Sequence, residues 1–254
     1  MTERWRVLRD YPEAEKLLQT MDSDPRVAAL RARMPEVYRE LSPHRWLVAA
    51  LERLPVFAVR GMPTLLGEAA AATTEKLVID VSVEEVAGLE LRDLVYVLAH
   101  ETVHALMADN LRWRGRDQLV AEYASDILDD TLLRDAGVTP TAAWERYHVE
   151  DVLPGRGAEE VTFEELYEVI AARWRARGRE VVPGRHIAGR DERYEAAGVV
   201  QLGDPDLYDE DPGVVARARR RWLRAVLRAP DLPPAVRRGI ESGWADLLRA
   251  RRGK

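Results

Sequence analysis

Cysteine is absent from the chain, which removes disulfides and thiolate ligands together, so any metal must be held by histidine and carboxylate. Lysine is almost absent, occurring only as Lys16, Lys76 and Lys254. Positive charge is therefore carried by arginine, a bias that genomic base composition accounts for. No window approaches the ~18 uninterrupted apolar residues of a membrane span, so nothing in the sequence is expected to cross a bilayer. The first residues, Met1 to Arg6, lead into a charged helical pattern in place of the apolar core of a signal peptide, and a cytoplasmic location is expected. A net charge of −6 gives no global support for nucleic-acid binding.

The 254 residues suit one large domain or a domain with an appended part, and a hydrophobic fraction of 46% is enough for a sizeable core. The periodicities predict a mostly helical α+β fold. Residues 1–54 read as an N-terminal helical layer, with Trp5, Leu8, Leu17 and Leu18 and then Val27, Leu30, Met34 and Val37 at helical spacing. Residues 55–140 read as the core. Two short β-branched runs, 55–60 and 76–81, are expected strands of a small sheet, followed by a capping box at Ser82 and a helix from about Leu91 to Arg112. A second helix runs from about Leu119 to Asp135. Residues 141–254 read as a C-terminal helical part packed on the core, with helices opened by Thr162, by Gly213 and by Pro234, and a long irregular loop over 178–212.

Inside the helix near residue 100 stands His100-Glu101-Thr102-Val103-His104. Two His four residues apart share a helix face and can reach one cation, while Glu101 projects about 100° round the axis toward the cation's open position. The flanking Leu98, Val103, Leu106 and Met107 place the motif in an apolar setting. Two bare imidazoles and a carboxylate there would cost several kcal/mol of desolvation unless paired or metallated. Two ligands and a general base constitute a zincin-type zinc site.

A catalytic zinc site needs a third protein ligand. Asp109 points about 140° away from His104 if the helix continues, and no glycine allows a sharp turn before Gly115. Glu122, on the following helix, can approach across the helix pair and is the expected third ligand, with Asp109 as the alternative. Asp126, one turn on, is expected to accept the spare N–H of His100 and so fix its tautomer.

The combination of His100-Glu101-x-x-His104 with Glu122-x-x-Ser125-Asp126 resembles the gluzincin peptidases of the thermolysin type. That resemblance implies His100, His104 and Glu122 as zinc ligands, Glu101 as general base and Asp126 behind the ligands. Over residues 72–140 the chain is also similar to a family of predicted bacterial metallopeptidases associated with von Willebrand A-like domains. It differs from that family in having Asp109 near the place of an additional His and Glu122 in place of an Asp, and no von Willebrand A-like segment follows.

The expected function is a zinc-dependent peptidase acting on a peptide or protein, with a short strand available to pair with extended substrate. A donor for the oxyanion is sought downstream, where Tyr147, His148, Tyr167, His186, Tyr194 and Tyr208 lie, with His148, His186 and Tyr147 as the candidates carried forward. Two alternatives use the same sequence features. One is a non-haem Fe(II) oxygenase with the same two-His-one-carboxylate donors; the other is a peptidase-like scaffold that binds a protein partner through the Arg-rich helix 213–229.

Overall fold

The computed structural model describes residues 24–61, 71–73, 77–141, 147–185, 195–207, 209 and 211–249. The expected helix near Trp5 to Leu18, and the candidates His186, Tyr194 and Tyr208, lie outside these residues. The fold is α+β and mostly helical. Helix α1 (Pro25–Leu41) begins where Asp24 accepts from Arg26 N and Pro25 fills the first helical position, where its missing N–H costs nothing. Its Val27, Leu30, Met34, Val37 and Leu41 form one buried face. Helix α2 (Arg45–Leu51) follows and leads into the sheet.

The sheet has four strands: β1 (Val56–Arg60), β2 (Ala71–Thr73), β3 (Ile79–Ser82) and β4 (Glu195–Gln201), in the order β2-β3-β1-β4. The two expected strands are β1 and β3, which pair in parallel. The other two were not anticipated and pair antiparallel with them, β2 on β3 and β4 on β1. Strand β4 falls in the span read as a 178–212 loop, and its composition explains the omission. Glu195-Ala196-Ala197-Gly198 has no alternation, and Gly198 is there because its backbone meets α1, where a Cβ would lie 3.0 Å from Val27 Cγ1. Arg31 covers the outer side of β4 by donating to Val199 O at 2.9 Å, which leaves β2 as the other sheet edge.

Ser82 caps the short helix α3 (Val83–Val86) by accepting from Glu85 N, as its capping-box sequence predicts. Helix α4 (Leu91–Met107) is buried continuously from Asp93 to Met107. A helix apolar all round belongs in the centre, and α4 packs against α1, α2, β2 and β3. It does not continue to Arg112. Ala108 takes a left-handed conformation (φ 59°), and a separate turn of helix, α5 (Asp109–Arg112), follows. Helix α6 (Gln118–Asp135) then crosses α4, its first turn capped by Asp117.

The chain continues through α7 (Val149–Val152) and α8 (Phe163–Ala176), the latter capped by Thr162 as its sequence predicts. The first part of the expected loop is docked onto the start of α6: Gln118 N donates to Arg185 O, Gly184 N to Arg116 O, and Val182 N to Asp117 Oδ2. After β4 come α9 (Pro212–Val226), α10 (Pro234–Gly243) and α11 (Ala245–Arg249). The expected single helix from Pro234 onward is broken at Trp244, because that residue turns inward and donates its indole N–H to Leu106 O at 2.9 Å. On α9, Arg221 pairs with Asp206 at 2.7 Å, so part of its basic face meets the acidic tract beside it. One hydrophobic cluster runs from Val27 to Trp244. No described helix is long and apolar enough to cross a membrane.

Candidate metal centre

The two imidazoles of α4 stand nearly perpendicular, at 88°, and their Nε2 atoms approach to 2.9 Å. Asp126 Oδ1, from α6, lies 3.2 Å from His104 Nε2 and 3.7 Å from His100 Nε2. Three donor atoms thus converge on one point. Bonds of the zinc–nitrogen length at a tetrahedral angle would hold such atoms about 3.3 Å apart, and the observed separations bracket that value. A carboxylate oxygen of Glu101 lies within 4.8 Å of both imidazoles.

The outer ring nitrogens face carboxylates. His104 Nδ1 meets Asp109 Oδ2 at 2.9 Å, and His100 Nδ1 lies 2.8 Å from Asp130 Oδ1, which also accepts from the Tyr96 hydroxyl. In the neutral tautomer that turns its Nδ1 proton to Asp109, His104 would present an Nε2 lone pair toward His100 Nε2, where a shared cation would fit; His100 Nδ1, although 2.8 Å from Asp130 Oδ1, completes no hydrogen bond. Asp129 Oδ2 is 3.0 Å from His104 Nδ1 but off the direction of its N–H, so neither oxygen of this wholly buried carboxylate completes a hydrogen bond.

The titrations report the same excess of negative charge. Burial opposes protonation of His100, but Asp130 and Asp126 outweigh it and raise its pKa to about 9. His104 moves well above the ordinary imidazole value, with Asp129 and Asp109 overcoming burial. Burial disfavours the Asp126 carboxylate, yet its bonds to both imidazoles hold it below the ordinary carboxylate range. Burial and the charge of Asp109 push Asp129 well up. Asp80 on β3 is raised to about 7 by burial and then by the charge of Glu101. Crowded buried carboxylates around two imidazoles are a setting that suits a divalent cation in place of the imidazole protons.

Of the residues the sequence put forward, His100, Glu101 and His104 are together and buried. The carboxylate beside both Nε2 atoms is Asp126, where Glu122 was expected. Glu122 stands one turn earlier on α6 and is half-buried. Nor does Asp126 brace the spare nitrogen of His100; Asp130 faces that atom. Asp109 does reach His104, contrary to the expectation of a continuous helix, because the turn at Ala108 swings it back. It meets the outer nitrogen, not the converging one.

That turn is held from outside. A left-handed conformation costs a non-glycine residue roughly 1–2 kcal/mol, and α10 is pressed against it. A Cβ at Gly243 would stand 2.6 Å from Met107 O and 2.8 Å from Ala108 Cβ, and one at Gly239 would stand 2.2 Å from Met107 Sδ. Arg112 of α5 donates to Gly239 O at 3.1 Å and bonds Ser242 Oγ. Two glycines four residues apart therefore let α10 close on the peptide that carries Asp109.

Among the downstream donor candidates, His148 caps α7, its backbone N–H donating to Asp151 at 2.8 Å, and Tyr167 hydroxyl accepts from Asp117 N at the start of α6. Tyr147 is 57% exposed and packs on Tyr123. Asp129, Asp130 and Tyr96 escaped sequence reasoning. Their signal was present: Glu122, Asp126, Asp129 and Asp130 recur at four, three and one residues along an apolar helix, an acidic stripe on a face that turns out to be inward, and Tyr96 lies one turn before His100.

No family model, curated protein or solved structure matches the chain.

Proposed function

We propose that the protein is a zinc-dependent peptidase whose metal ligands are His100, His104 and Asp126 and whose general base is Glu101. The observation that carries this reading is the convergence of two Nε2 atoms and one carboxylate oxygen beside a buried glutamate, with carboxylates behind each imidazole. The donor set fits a divalent ion of zinc type: two imidazoles and one carboxylate, with Asp126 partly open to solvent at 30%.

Zinc bound there would supply Lewis acidity and bring the pKa of water toward ~7. Asp109 holds the outer Nδ1 proton of His104 and so keeps its Nε2 as a donor, while the Asp130 charge stands 2.8 Å from the outer nitrogen of His100. The Glu101 carboxylate takes the proton from the attacking water and delivers it to the amine nitrogen of the departing half of the peptide.

Glu101→Gln tests the proposal. Zinc content by elemental analysis should stay near one per chain, while cleavage of a denatured-protein substrate should fall by at least 100-fold, the lower end of a general base's contribution. Retained cleavage in this variant, or absence of zinc and cleavage from the unaltered protein, would overturn the assignment.

A further inference from the structure

The side chains gathered at the candidate metal centre differ in exposure. His100 and His104 side chains are 10% and 9% exposed and Glu101 is 7% exposed, whereas the Asp126 side chain is 30% exposed. Three residues before Asp126, within one turn of α6, stands Tyr123.

Tyr123 is the middle of a three-ring wall. Its ring meets Tyr147 edge to face at 5.9 Å and 62°, and meets Trp174 of α8 at 6.2 Å. The outer member, Tyr147, is 57% exposed. At the other end the Arg179 guanidinium lies 5.2 Å from the Trp174 ring, a cation over an aromatic face. Scattered apolar residues on a surface need no explanation. A ring that touches two others and stands within a turn of the most exposed of the candidate ligands is a different matter.

We propose that Tyr123, Tyr147 and Trp174 form the specificity site of the peptidase and receive an aromatic side chain of the substrate next to the bond that is cut. This rests on the reading of the site as a peptidase centre. Aromatic rings prefer tilted and edge-to-face partners at 4.5–7 Å, and the existing pairs keep to that geometry while leaving Tyr147 for a further ring. An aliphatic side chain would gain the burial without the ring–ring contribution, and a charged one would have to be desolvated beside Asp126 or Arg179.

The test uses zinc-loaded Glu101→Gln protein and two N-acetylated, C-amidated hexapeptides that differ only in one central Phe or Ala, with binding followed by calorimetry. Because the variant binds without cutting, the result does not depend on turnover. The Phe peptide should bind about tenfold more tightly. Tyr147→Ala, an exposed position whose loss leaves the core intact, should erase the difference, and Tyr147→Phe should keep it. Equal binding of the two peptides, or no binding of either, overturns the proposal. So does a difference that survives Tyr147→Ala. Preferential Phe binding by a protein that with Glu101 restored cuts no peptide would leave the aromatic site standing and remove the peptidase reading, so the two fail separately.

Discussion

The two imidazoles of the centre are supported in different ways. His100 is faced from within the crossing helices: Asp130 on α6, held by the Tyr96 hydroxyl of α4, stands 2.8 Å from its outer nitrogen. His104 is braced from Asp109, which is in place only because Ala108 turns left-handed under the pressure of α10. The first support is local to a helix pair and follows from its packing. The second is assembled by residues more than a hundred positions apart. Two histidines of one motif can thus rest on foundations of unequal reach, and variants that separate the two supports measure how far the candidate centre depends on each.

The largest effect should come from the donor common to both sides. Asp126→Ala should weaken zinc binding beyond the roughly 100-fold that loss of an outer partner causes, whereas Glu122→Ala should change it only a few-fold. Competition against a chromophoric chelator measures both, and the reverse ranking would return the ligand role to Glu122. Next in size, Asp109→Asn and Asp130→Asn should each lower zinc affinity by about 10- to 100-fold. Gly243→Ala should reproduce the Asp109→Asn loss without touching the centre, and should cost about 1–3 kcal/mol of stability through overpacking. Gly239→Ala meets the flexible end of Met107 and should cost less; denaturant unfolding of both, with zinc titration, checks the order.

The smallest effect is a pH dependence of the zinc-free protein. His100 is raised to about 9 in the folded chain against an ordinary 6.5, so its contribution to stability is complete below pH 6.5 and is lost as pH rises through 9. Asp129, also raised, acts in the same direction. Thermal unfolding should therefore move to lower temperature from pH 6.5 to 9 without zinc. With saturating zinc the trend should flatten or reverse, because metal displaces the same protons.

Much of the centre was legible because its signals are periodic. The His pair and Glu101 follow from helical spacing, the buried run of α4 from its composition, and the caps at Ser82 and Thr162 from their side chains. What escaped depends on packing that no local pattern carries. Nothing in Met107-Ala108-Asp109 marks a turn, since the usual glycine is on the helix pressed against it, at Gly243. Glu122 and Asp126 lie on one stripe, so spacing alone could not say which faces the imidazoles. Strand β4 looked irregular because its glycine serves contact with Val27 and not a strand propensity. The resemblance to gluzincins points to the glutamate; the proposed ligand set takes the aspartate.

The reach from Ala108 to Gly243 and Trp244 bears on how the chain matures. During synthesis α4 and α6 leave the ribosome long before α10, so His100, His104 and Asp126 are available while the turn beneath Asp109 still lacks its brace. An ion captured by the nascent chain would be held without the full support of His104, and final affinity for it would wait for the segment around residue 244.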